Sequence, residues 1–271
     1  MERERLTITL RRDILKLVDQ SIDGAKLRNR SHAIEYFLSR ELTSKSVRVV
    51  VALQNPARSS YQTGAAGFGG RASIAAARPL NFKGLFQNLA AQNFRDVLLV
   101  GTDSAALAAA AVDAEKMELS VKTESLELPD IDFPEKAFSK LGTLVKDETF
   151  VYWDSRFGGE LNLSDLLDFH KSGQNVATAA LVTDSEFLAN VGVKGAIYGK
   201  RIIQVSSESR GQGSGLPLAG VLAFEPQVFG ESNLLGKGLY QDILPALASA
   251  GKLNGFVFTV SELARQAVMA R

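Results

Sequence analysis

The chain has 271 residues, 45% hydrophobic and 23% charged, with a formal net charge of +1. That is room for one large domain, or a small one plus a medium one, of ordinary soluble composition. It holds no cysteine and only two histidines, His32 and His170, which excludes a disulfide frame, a thiolate metal site and a cysteine nucleophile and argues against zinc. No apolar run of about 18 residues, signal peptide or lipidation motif is read, so a cytoplasmic location without a membrane partner is expected.

Residues 5–10, Arg-Leu-Thr-Ile-Thr-Leu, alternate polar and apolar and predict a strand. Leu6, Ile8 and Leu10 lie on one face, and Arg5, Thr7 and Thr9 on the other. No second strand follows nearby, so the economical partner is the same strand of a second copy, giving an antiparallel ribbon. A helix is predicted over residues 12–23, with Ile14, Leu15, Val18 and Ile22 on one side and Gly24 as its stop. A second begins after Asn29 as N-cap, with Ala33, Ile34, Phe37, Leu38 and Leu42 as its buried stripe.

This strand, helix, turn and helix over residues 3–44 resembles the ribbon-helix-helix repressors of the MetJ/Arc superfamily. The resemblance implies a homodimer that places Arg5, Thr7 and Thr9 against the bases of a double-stranded DNA operator. Asn29, Arg30 and Ser31, at the start of the second helix, would meet a phosphate. Residues 1–46 carry ten Lys/Arg against seven Asp/Glu, leaving +3 there and −2 in the rest of the chain, the sign that phosphate contact needs. The alternative is an amphipathic or antitoxin-like dimerisation module that never touches DNA.

Residues 43–47 are a short polar joint, and 47–53 an apolar, β-branched run typical of a strand buried on both faces. A Gly/Ala/Ser-rich stretch, 54–78, follows, without the spacing of a phosphate-binding P-loop or dinucleotide fingerprint. Further strands are expected at 96–101, 150–154, 177–183, 220–224 and 255–259, with a hairpin at 196–205. Helices are expected at 80–92, 104–117, 138–144, 163–171, 240–250 and 260–271, and an acidic segment with Pro129 and Pro134 at 118–135. Alternation of this kind predicts an α/β domain over residues 46–271, a Rossmann-like, mostly parallel sheet of at least six strands with helices on both faces, behind a βαα arm over 1–45.

Several segments, in order, resemble the sugar-phosphate nucleotidyltransferases. They are Arg78-Pro79-Leu80, residues 150–171, residues 219–226 (Ala-Gly-Val-Leu-Ala-Phe-Glu-Pro), and residues 241–258. The resemblance implies a nucleotide or sugar-phosphate ligand, with Asp154 and Arg78 as a metal or ligand remnant. The departures fall on chemistry. Gln54-Asn55-Pro56-Ala57 stands at the start of the triphosphate loop, Arg78 replaces a lysine, and Asp154 is about two residues out of register. Ser206-Ser207-Glu208 replaces Glu-Lys-Pro, Leu218 an asparagine, and residues 260–263 the second metal aspartate. Phosphoryl chemistry needs such cationic groups, so the sequence predicts an inactive domain with no catalytic residues, no resident metal and no cofactor. Mg²⁺ enters only if the enzyme reading holds.

Taken by themselves the carboxylates near strand ends, Asp154, Asp103, Asp184 and Glu186, read as solvated loop groups, since no second metal ligand is identifiable. His170 reads as a helix C-terminal cation or surface residue, Trp153 as core, and Tyr61 and Phe68 as loop aromatics able to cover a ligand. Together these readings predict a homodimeric DNA-binding regulator whose second domain serves assembly or ligand sensing. The alternative is an active sugar-phosphate nucleotidyltransferase.

Overall fold

The computed structural model describes residues 7–24, 27–53, 82–126, 135–145, 148–155, 161–183, 193–207, 215–230 and 238–259. The chain divides into two compact units, Met1–Lys45 and Ser46–Arg271.

In the first unit, helix α1 spans Arg12–Gln20. It ends earlier than the apolar spacing predicts because the Ser21 hydroxyl folds back onto the Val18 carbonyl at 2.6 Å. Gly24 then takes φ +74°, a left-handed turn that costs a residue without Cβ little. Helix α2, Arg30–Ser46, starts where expected: the Asn29 side-chain carbonyl accepts from the His32 N–H at 2.9 Å. It continues through residues 43–46, expected as a joint, since that stretch holds no glycine or proline to stop it. Val18, Leu27 and Ala33 form a small core with Ile22, Ile34 and Tyr36 against it.

Two expectations fail in the single chain. Residues 7–10 form no strand, as edge amides without a partner strand gain nothing from extending. The second helix's stripe is buried only at its start: Ala33 is buried and Ile34 packs on the small core, whereas Phe37 is 41%, Leu38 55% and Leu42 64% exposed. Arg5 and Leu6 lie outside the described residues.

Among the described residues the second unit is built on a sheet of nine strands in the order β3-β2-β1-β4-β8-β5-β9-β7-β6. Strands β1 (Arg48–Leu53), β2 (Asp96–Gly101), β4 (Phe150–Asp154) and β5 (Ala177–Val182) are the apolar runs, buried along almost all of their length. The remaining strands are β3 (Ser120–Ser125), β6 (Val193–Tyr198), β7 (Arg201–Ser207), β8 (Leu216–Phe224) and β9 (Leu253–Phe258). Helices α3 (Phe82–Ala91), α4 (Ser104–Glu115), α5 (Glu135–Val145), α6 (Leu163–Gly173) and α7 (Leu244–Ser249) connect them. Alternate residues of β4 serve two cores. Phe150 and Tyr152 join Phe138, Phe224 and Tyr240 on one face, while Val151 and Trp153 join Phe86, Leu163 and Leu166 on the other.

The sheet is mixed rather than mostly parallel. β1–β2, β2–β3, β1–β4 and β5–β9 are parallel. β8, however, enters antiparallel between β4 and β5, and the β6–β7 hairpin is antiparallel too. Strand β3 lies inside the segment read only as acidic. Its sequence, Ser-Val-Lys-Thr-Glu-Ser, is mostly polar and exposed, as suits a charged edge that discourages further pairing. The helix expected over 240–250 opens instead with a π-turn, Leu239–Ile243, before α7. The glycine-rich stretch with Tyr61, Phe68 and Arg78, Asp184 and Glu186, and the helix expected over 260–271 all lie outside the described residues. Among the described residues no helix is long and apolar enough to cross a membrane.

Candidate functional site

From β1 the chain passes to β2 and β3 on one side and returns to β4 on the other, so its connections diverge between β1 and β4. In open α/β sheets that divergence leaves a crevice beyond the strand carboxyl ends, where ligands bind. Residues at those ends are therefore the candidate site. Leu53 pairs with Gly101 and Ala52 with Asp154, and the Ser155 N–H extends the ladder to the Ala52 carbonyl at 3.0 Å. The glycine-rich stretch follows Leu53 directly in sequence.

Asp154 is the carboxylate at this divergence. It is fully buried, an expensive place for a carboxylate unless it is hydrogen-bonded. The Tyr240 hydroxyl, also buried, donates to its Oδ2 at 3.2 Å. Tyr240 comes from the π-turn 86 residues away, and no spacing in the sequence signals the pair.

Asp103, after β2, has a different task. Its carboxylate accepts from the Ala105 and Ala106 N–H groups at 2.9 and 3.2 Å and caps α4. Such capping suits the positive end of a helix and makes Asp103 a structural residue.

Among the described residues no group of three or more His, Asp or Glu is arranged to hold a metal. The donor set at the crevice is one hard carboxylate oxygen pair. That suits a Mg²⁺ ion arriving on a substrate's phosphates, since Mg²⁺ is commonly held by one or two carboxylates plus those phosphates.

His170 is not the surface cation expected but is buried. Its Nδ1 lies 2.8 Å from Thr178 Oγ1, and its Nε2 3.2 Å from Glu225 Oε1, out of line for a good hydrogen bond. Glu225 in turn accepts from the Thr149 hydroxyl at 3.0 Å. Burial pushes the imidazole below its ordinary range, partly offset by the Glu225 charge. Phe150 and Ala177 both pair with Phe224, so this cluster sits at the amino ends of β4 and β5, the opposite end from Asp154.

In the arm, two of the three residues expected to meet a phosphate have side-chain partners in the chain. Asn29 caps α2. Arg30 forms a two-pronged ion pair with Asp19, at 2.6 and 2.8 Å, which holds the Asp19 carboxyl below its usual range. Ser31, Thr7 and Thr9 are exposed.

No protein-family model and no curated protein sequence matches the chain. Solved structures do match its fold. A protein of Bacillus anthracis provisionally assigned as a glucose-1-phosphate thymidylyltransferase, solved with sucrose, aligns with a TM-score of 0.60 at 10% identity, covering 83% of this chain and 94% of that one. The inositol-1-phosphate CTP transferase of T. maritima gives 0.55 at 12%, over 78% and 85%. HddC from Yersinia pseudotuberculosis, complexed with GMP-PN, gives 0.56 at 15%, over 78% and 90%. The second unit therefore has a nucleotidyltransferase-like fold. This overturns the reading of the chain as a DNA-binding regulator: the fold that fills most of it is matched by proteins named as nucleotidyltransferases, and these matches carry no evidence of DNA binding.

Proposed function

We propose that residues 46–271 form a sugar-phosphate nucleotidyltransferase whose site lies at the crevice between β1 and β4. A phosphate oxygen of the sugar phosphate attacks the α-phosphorus of a nucleoside triphosphate. One O–P bond forms, the bond to the β-phosphate oxygen breaks, and pyrophosphate leaves. Reactions of this class are driven mainly by positioning and by neutralising charge on the transferred group. Asp154 would hold the cation that accompanies the triphosphate, and that cation would supply positive charge beside the phosphates. The glycine-rich stretch after Leu53, with Arg78, is the part of the sequence suited to the phosphates themselves.

The observation that carries this reading is the placement of Asp154. It is a buried carboxylate at the end of β4, paired in register with Ala52 of β1, in a fold shared with proteins named as nucleotidyltransferases. The test is a coupled pyrophosphate assay over a panel of nucleoside triphosphates and sugar 1-phosphates with Mg²⁺. Turnover that falls at least a hundredfold in Asp154→Ala is expected, the scale on which losing one charge-handling group acts (about two to three decades). No pyrophosphate from any pair would overturn it.

For the first unit we propose a ribbon-helix-helix-type arm that joins two copies of the chain. What supports this is the open apolar groove lined by Leu10, Ile14, Leu17, Val18, Ile34, Phe37 and Leu38, too much exposed apolar surface for so small a unit to carry alone.

A further inference from the structure

The π-turn Leu239–Ile243 is an irregularity with a visible cause and a visible product. The Gly238 carbonyl accepts from both the Asp242 and Ile243 N–H groups, at 3.1 and 3.0 Å. The Asp242 carboxylate closes the turn by accepting from the Gly238 N–H at 3.0 Å. An extra residue in a helical turn rotates the side chains that precede it, and such turns are frequent at functional sites. Here Leu239 and Tyr240 are both buried in the core that packs against Tyr152 and Phe150, and Tyr240 carries its hydroxyl to Asp154. Pro245 at the start of α7 has no N–H to offer a regular ladder, which helps fix the register of the turn before it.

We infer that Tyr240 is a positioning residue for the reaction: its hydroxyl holds the Asp154 carboxylate in the orientation that receives the cation on an incoming triphosphate. The inference rests on the nucleotidyltransferase reading. A hydrogen bond from a buried hydroxyl to one oxygen restricts rotation about χ2 and favours one orientation of the group. Groups that orient a metal-binding side chain in this way commonly matter about ten- to a hundredfold for metal affinity. Tyr240→Phe removes a single oxygen and keeps the ring that the core packs against, so the change falls on orientation.

The experiment titrates Mn²⁺, followed by its electron paramagnetic resonance signal, into the full chain with a saturating non-hydrolysable nucleoside triphosphate. Wild type, Tyr240→Phe and Asp154→Ala are compared, each with its melting temperature. Expected is a Kd for Mn²⁺ raised about tenfold or more in Tyr240→Phe, with triphosphate binding in the absence of metal unchanged. Asp154→Ala should lose the protein-dependent part of Mn²⁺ binding altogether. An unchanged Mn²⁺ Kd in Tyr240→Phe, with Asp154→Ala still defective, overturns the role of Tyr240 alone. Should Asp154→Ala bind Mn²⁺ like wild type, the reading of Asp154 falls, and this inference with it. If Tyr240→Phe does not fold, Tyr240→Leu and Tyr240→His are tried. Loss of affinity in the leucine variant that the hydrogen-bonding histidine restores supports the inference, and equal affinity in both overturns it.

Discussion

His170 shows how far a single residue's role depends on its surroundings. On the sequence it ends an amphipathic helix and is followed by Lys171, a place where an imidazolium is usually solvated. In the fold it faces Thr178 and lies near Glu225, groups that come together only when α6 packs on β5 and β8. Its folded pKa is lowered, with burial the main cause. The unfolded chain therefore takes up a proton first as the pH falls. The stability this residue supports is fully present above its unfolded pKa near 6.5 and drains away as the pH drops through that value towards the folded one. The melting temperature should decline between about pH 7 and pH 5, and His170→Gln, which does not titrate there, should decline less steeply. Parallel curves for the two proteins would contradict this. Asn29 is the opposite case, legible from the sequence alone because capping is local. Asn29→Ala should cost about 1 kcal/mol in the stability of the arm, read by denaturant unfolding.

At the scale of elements, strands β1, β2, β4 and β5 were readable because each is an apolar run buried on both faces, and such runs need no knowledge of their neighbours. Strand β3 was not, since an exposed edge strand carries no apolar run and its partner β2 lies across a helix. The π-turn was read as ordinary helix. Its five-residue closure depends on the Gly238 backbone and Asp242 together, and apolar spacing does not report on either. The mixed direction of the sheet was missed for a similar reason: β8 is as apolar as its parallel neighbours, and only pairing reveals that it runs the other way. Close packing between these strands is exacting at Gly255. A Cβ there would lie 2.7 Å from Leu181 Cδ1 and 3.1 Å from Ile202 Cγ1. Gly255→Val should therefore destabilise the second unit by about 1–3 kcal/mol, seen as a lower denaturant midpoint. An unshifted midpoint would mean that β5, β7 and β9 yield more readily than their contacts imply.

For the molecule as a whole, the two units ask for different partners. In the arm, Leu17 is 62% and Leu38 55% exposed beside a core that, among the described residues, has three buried members. The period-two pattern of residues 5–10 would suit a strand completed by a second copy, in keeping with the dimer proposed above. Dimerisation predicts that Leu17→Glu with Leu38→Glu gives a monomer by analytical ultracentrifugation, while the wild-type chain remains a dimer at micromolar concentration. A monomeric wild type would remove the argument. The second unit was legible as a fold through the order of several weak segments. Of the proposed site only Asp154 was singled out from the sequence, since Tyr240 comes from elsewhere in the chain and the glycine-rich stretch departs from the usual phosphate-binding spacing. Those departures led the sequence to predict an inactive domain, whereas the arrangement at the β1–β4 divergence supports transfer. Label transfer decides between them most directly. The chain is incubated with a sugar 1-phosphate, Mg²⁺ and nucleoside triphosphate labelled at either the α- or the γ-phosphate. Nucleotidyl transfer predicts α-label in a nucleotide-sugar and γ-label in pyrophosphate, both lost in Asp154→Ala. Label that moves from the γ-position to the sugar, or no movement of either label across the panel, would contradict it.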